Sequence, residues 1–137
     1  MPLTKPDAER HLARACSNFQ FYEKLKSEQA NLDWAVTVLF YSALHLVQAH
    51  FVEVANTGFD IPRDHPERDN LVARLIPAIY SHYRFLGSRS QWSRYHVDKP
   101  PTTPSLIQSY EENHFRPIVS TMEALGVQLI LPNQSGS

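Results

Sequence analysis

The 137 residues suffice for one domain with a single core, and not for two. With 42% hydrophobic and 20% charged residues the composition is that of an ordinary globular protein, and a net charge of −1 excludes nucleic-acid binding by bulk electrostatics. One cysteine, Cys16, excludes both a disulfide framework and a zinc site built on thiolates.

The first helix is expected from Thr4, with Pro6 in its first turn, to about Lys26, burying Leu12, Ala15, Cys16, Phe19 and Tyr22. Because Met1–Asp7 leads straight into this charged helix, no signal peptide is expected. A second helix runs from Asn31 or Asp33 to Val54 and is apolar over most of its circumference, which predicts a central position. Its apolar run Trp34–Val47 is interrupted by Thr37, Ser42 and His45, too short to cross a bilayer, so a cytoplasmic protein without membrane attachment is expected. The face carrying Thr37, Tyr41, Ser42, His45 and Gln48 holds no formal charge. Exposed helix faces normally collect Lys and Glu, so this one is expected to meet another surface.

Asn56–Arg63 reads as a loop, and Asp64 with Glu67 as a capping box opening a third helix over His65–Leu75. Pro77 breaks it, and a fourth helix follows from Pro77 to about His96, with Gly87 a weak point costing about 1 kcal/mol against alanine. Lys99–Pro104 is an extended loop; Thr103 and Pro104 start a last helix that reaches Leu125, capped by Gly126 and kinked at Pro117. Residues 1–126 thus form a single helical domain and 127–137 a tail, partly disordered. The predicted fold class is all-α, a four- to five-helix up-down bundle.

Between Asn70 and Val97 there is no acidic residue, yet the stretch holds four arginines, two histidines and five aromatics. It carries +4, which leaves −5 for the rest of a chain whose net charge is −1. On a helix, His82, Arg89 and His96 recur every seven residues and lie within roughly 40° of one another. Phe85 and Trp92 flank them on one side, Ile79 and Leu86 on the other, while Arg84, Ser88 and Gln91 point to the expected solvated face. Ionisable groups inside an apolar stripe are costly to bury unpaired, which marks this helix as a candidate site.

The run Asp33-Trp-Ala-Val-Thr-Val-Leu-Phe-Tyr-Ser-Ala-Leu-His resembles the second helix of small HEPN-domain proteins. The order of His65-Pro-Glu-Arg68, Tyr80 or Tyr83 with Leu86, and Ser93-Arg94-Tyr95 is similar too, and the likeness covers roughly residues 10–125. The resemblance implies a HEPN-like bundle, often homodimeric, and a metal-independent endoribonuclease of a toxin–antitoxin or antiviral defence system. It further implies RNA as substrate, with an antitoxin or a nucleotidyltransferase-like protein as partner. Active members carry an arginine, four to six residues, and a histidine, paired across the dimer; Arg89 and His96, with six between, match that spacing. In the family a polar residue, commonly asparagine, follows the arginine; here it is Ser90.

On that resemblance His96 acts as general acid or base and Arg89 holds the phosphate while the RNA 2′-hydroxyl attacks. The alternative is that both make structural hydrogen bonds or lie at a dimer seam. The alternative for the whole chain is a non-catalytic HEPN-like bundle that binds RNA, a nucleotide or a protein. Candidate substrate-binding residues are His82, His65, Arg68, Arg94, Tyr95, Tyr41 and His45. For each a structural role stands beside it. Arg94 and Tyr95 suit bonds to carbonyls or a carboxylate of a neighbouring helix. His65 precedes a helix-starting proline, Arg68 has Asp64 nearby, and Tyr41 with His45 suits a satisfied buried network. His11, His50 and His114 show no convergent spacing with carboxylates or cysteines, so neither a metal nor another cofactor is expected.

Overall fold

A computed structural model describes residues 3–55, 58–95 and 100–129 of the chain. Among these residues the fold is a helical bundle without strands. Its elements are α1 (Pro6–Glu28), α2 (Leu32–Val54), α3 (His65–Leu75), a 3₁₀ turn (Pro77–Ile79) running into α4 (Tyr80–Tyr95), and α5 (Pro104–Tyr110) joined by a π-helical turn (Glu111–Phe115) to α6 (Arg116–Ala124).

α1 and α2 form an antiparallel hairpin whose link, Gln29–Asn31, bends through two left-handed residues, Gln29 at φ 51° and Asn31 at φ 53°. At the open end of the hairpin Glu53 accepts hydrogen bonds from the backbone N–H of Thr4 (2.9 Å) and Lys5 (3.0 Å), which ties the start of α1 to the end of α2. α2 is the central helix, buried at nearly every position from Ala35 to Val52. Contrary to the reading from its apolar run, α2 is long and apolar enough to cross a bilayer; 83% of that window is nevertheless buried inside the bundle.

Asp64 caps α3 as expected, its carboxylate accepting from the Glu67 N–H at 2.9 Å. The box is not closed by Glu67, whose carboxylate turns to the Arg63 N–H (3.0 Å) and guanidinium (2.9 Å). Gly87 has a packing reason: a Cβ there would stand 3.2 Å from Phe40, so the glycine lets α4 close onto α2. Thr103 caps α5, accepting from the Leu106 N–H at 3.2 Å. The irregularity expected at Pro117 appears just ahead of it. Proline has no N–H to bond back along the helix and its ring crowds the preceding turn, and here the chain widens to the π turn Glu111–Phe115. That turn brings both Glu111 and Phe115 into the interior.

The uncharged face of α2 meets other surfaces as expected, and they lie inside the bundle: Ser42 donates to the Ala15 carbonyl (2.9 Å), Gln48 to the Pro62 carbonyl (3.1 Å), and Ser90 of α4 to Thr37 (3.3 Å). One expectation needs correction: the tail begins as part of the core, since Val127 and Leu129 are buried.

Candidate functional site

A shallow groove of about 470 Å³ follows the α1–α2 seam. α1 contributes Arg14, Asn18 and Phe21, which recur at helical spacing on one face; α2 contributes Trp34, Tyr41 and His45 in the antiparallel order. Trp34 to His45 covers eleven residues of helix, about 16 Å at 1.5 Å each. Arg94 of α4 lines the groove as well. It also lines a 340 Å³ cavity among α2, α3 and α4 that includes His65 and Tyr95, and a third recess near Asp33 and Thr102. Thr102 donates its N–H to the Asp33 carboxylate at 3.1 Å, fixing the segment before α5 against the start of α2.

The groove is aromatic and cationic. Trp34 is 50% exposed and Phe21 43%, and among the described residues neither Arg14 nor Arg94 is in an ion pair; Tyr95, 68% exposed, lines the adjoining cavity. The Arg94 guanidinium rests over the Tyr95 ring, 5.3 Å from its centroid. At the inner end His45 stacks on His11, centroids 5.2 Å apart and planes 23° apart, with the two Nδ1 atoms at 3.0 Å. Atoms that close can share one proton between them, not carry one each. Burial, the neighbouring His11 and the guanidiniums of Arg14 and Arg68 push His45 down to about 4. Burial and Arg68 also lower His11, against a smaller opposing pull from Asp7. Both imidazoles are neutral at pH 7.

A pH dependence of stability follows. The folded pKa of His45 lies below its ordinary 6.5, so its contribution is complete above that pH and is lost as the pH falls toward 4. Allowing for solvent screening, the loss is about 1 kcal/mol. The thermal midpoint should fall between pH 7 and pH 4.5, less steeply in His45→Gln than in wild type; equal slopes would contradict this.

Arg68 is buried, 8% exposed, with its Nε donating to Gln48 at 2.8 Å and, among the described residues, no carboxylate in an ion pair with it. The expected pairing with Asp64 is therefore replaced by a neutral partner. His65, one turn earlier, stays exposed, its ring 6.2 Å from that of Phe40 and 6.3 Å from that of Tyr41. Helical spacing put both on one face, but packing against α2 takes one in and leaves the other out. Six expected binding residues, Tyr41, His45, His65, Arg68, Arg94 and Tyr95, thus gather around one region.

His82 and Arg89 do not join them. His82 pairs its Nδ1 with that of His114 at 3.1 Å, and His114 stacks on Phe85 with centroids 3.8 Å apart. Burial and His82 lower the pKa of His114. The Arg89 guanidinium lies over Phe85 (5.4 Å) and Trp92 (5.7 Å). These residues hold the face of α4 opposite to Arg84, Ser88 and Gln91, which are exposed as expected and line the mouth of the cavity. His96, the other half of the expected catalytic pair, lies outside the described residues. Reasoning on sequence missed His11, Arg14, Phe21 and Tyr83; the α1 residues recur every three or four positions, a pattern that an ordinary solvated face shares. Among the described residues no group of three or more His, Cys, Asp or Glu converges as a metal site would. No family model, no curated protein and no solved structure matches the chain.

Proposed function

We propose that this chain is a HEPN-like helical bundle that binds single-stranded RNA along the α1–α2 groove, with Arg94 reaching in from α4. The observation that carries this reading is the pair of exposed aromatics in the groove, Phe21 and Trp34, beside the guanidiniums of Arg14 and Arg94, which are in no ion pair among the described residues. Bases of a single strand offer free π faces to such rings, and the guanidiniums meet the phosphates between them. A duplex keeps its bases stacked and cannot use the rings. With the whole molecule at −1, affinity comes from this local patch; the two guanidiniums, at one phosphate each, give a slope of roughly −1.4 in log affinity against log salt. Fluorescence anisotropy of a labelled 12-nucleotide strand tests it: wild type binds and Arg94→Ala binds more weakly. Equal affinity in both proteins would overturn the reading.

A second reading is favoured by Arg89, whose guanidinium is held between two rings with no carboxylate paired to it among the described residues. It is the metal-independent endoribonuclease that the HEPN resemblance implies, with Arg89 and His96 paired across a homodimer. Cleavage of the same strand in EDTA, lost in Arg89→Ala and leaving 2′,3′-cyclic phosphate ends, decides in its favour. An intact strand decides for binding alone.

A further inference from the structure

We infer that the inner end of the α1–α2 groove seats one phosphate of the bound strand against Arg14 and the His11–His45 pair, and that the pair takes up a proton as the phosphate arrives. The inference rests on the RNA-binding reading above and adds to it an anion seat whose strength depends on pH. Arg14 and His45 line the groove together with Tyr41, and His45 meets His11 through Nδ1 atoms 3.0 Å apart. Both rings are half-buried. Neither Nε2 has a protein partner among the described residues, and neither is cut off from solvent. A ligand in the groove therefore meets ring nitrogens that packing has left open.

The charges around the pair are unbalanced. Arg14 of α1 and Arg68 of α3 act on both rings. Among the described residues the carboxylate that opposes them is Asp7, which bears on His11 and is itself in an ion pair with Arg10. Arg68 is buried with neutral side-chain partners, Gln48 and Tyr83. Tyr41 adds a neutral hydroxyl from α2, and Arg94 a further guanidinium from α4. Permanent cations gathered without matching carboxylates favour an anion, and disfavour a charged imidazole for as long as the anion is absent.

The pair can gain charge without coming apart. In its neutral form one Nδ1–H is donated to the other Nδ1, so one ring presents an Nε2–H and the other a bare Nε2. One added proton goes to that bare Nε2, keeps the Nδ1 contact and makes both outer nitrogens donors. Burial and the two guanidiniums hold both rings below their ordinary 6.5 in the free protein, so the pair waits neutral. A phosphate within hydrogen-bond reach raises the pKa again. The bound form then holds a proton that the free form lacks, and affinity rises as the pH falls. A neutral base in the same place would leave the pair neutral and the affinity level.

The probe is a 12-nucleotide oligouridylate, whose bases do not titrate near neutrality. Lowering the pH from 7.5 to 5.5 should tighten its binding to wild type about three- to fivefold, and calorimetry at pH 5.5 in buffers of different ionisation enthalpy should show a proton taken up. His45→Gln and His11→Gln should bind at pH 7.5 within about threefold of wild type, and should lose both the pH dependence and the proton uptake. His50→Gln, which removes a half-buried imidazole of α2 that does not line the groove, should keep both. An abasic strand of equal length should take up the same proton, because the seat holds a phosphate. Wild-type affinity that stays level over this range refutes the seat and leaves the groove reading standing. So does a pH dependence that survives in both glutamine variants, or proton uptake with the intact strand and none with the abasic one. Failure of wild type to bind any strand removes both readings.

Discussion

Replacing Glu111 by alanine should destabilise the protein by about 3 kcal/mol, which for a chain of this size lowers the thermal midpoint by roughly 10 °C. Glu111 sits in the π turn, 4% exposed, and three side chains donate to it: Tyr22 Oη at 2.7 Å, Lys26 Nζ at 2.7 Å and Arg116 Nη2 at 2.8 Å. Burial by itself would raise the carboxyl pKa, but these three donors outweigh it and hold the group below its ordinary range. The same node pushes the Tyr22 phenol upward, through burial first and then the adjacent carboxylate. Deleting Glu111 therefore leaves a buried phenol without its acceptor, Arg116 without its counter-charge and Lys26 with only the longer contact to Glu23 (3.6 Å), in a position that joins α1 to the last helix. The neighbouring Glu112→Ala is the control. Glu112 is exposed and accepts one bond from Gln108, so its loss should stay within about 0.5 kcal/mol. Equal midpoints for the two variants would show that the node does not hold the fold.

The second large effect is on binding. Arg94→Ala should reduce affinity for single-stranded RNA by about tenfold at low salt and flatten the salt slope by about 0.7, the share of one phosphate contact. Arg94 is the residue common to the groove, the cavity and the recess near Asp33, so it meets the strand wherever the strand crosses α4. Being exposed and outside any ion pair among the described residues, it can be removed with little effect on stability. Arg14→Ala should act similarly at the other side of the groove, and the double variant should lose about a hundredfold if the two contact separate phosphates. Arg74→Ala, an exposed change of equal charge on α3, should leave affinity unchanged. A drop as large in Arg74→Ala as in Arg94→Ala would mean that net charge, not the groove, governs binding.

The helices were legible because their ends carry chemistry that acts locally. Asp64 and Thr103 cap where their side chains predict, and Pro6, Pro66 and Pro104 stand in first turns. The central place of α2 followed from its apolar circumference. The site was legible only in part, since it is assembled from four helices while periodicity reports on one at a time. Tyr41, His45, Arg68 and Arg94 stood out as polar or charged groups in unusual company. His11 and Arg14 looked like any solvated face until α2 packed beside them. The His82–Arg89 stripe was read correctly as one face, but nothing in the sequence shows that the π turn brings His114, not a groove residue, to meet it. The uncharged face of α2 meets other surfaces as expected, but which ones was not legible. Hydrogen bonds to the Ala15 and Pro62 carbonyls satisfy it internally, and no side-chain pattern announces a backbone acceptor.

The most direct measurement is tryptophan fluorescence during titration with an unlabelled 12-nucleotide RNA, in Trp92→Phe, where Trp34 is the remaining tryptophan, and in Trp34→Phe, where Trp92 is. Trp34 is half exposed on the groove and should be quenched by a stacked base, with a midpoint matching the affinity found by anisotropy. Trp92, over Arg89 on the opposite side of α4, should keep its emission at saturation. Quenching of Trp92 with Trp34 unchanged would place the strand on the Arg89 face and contradict the account.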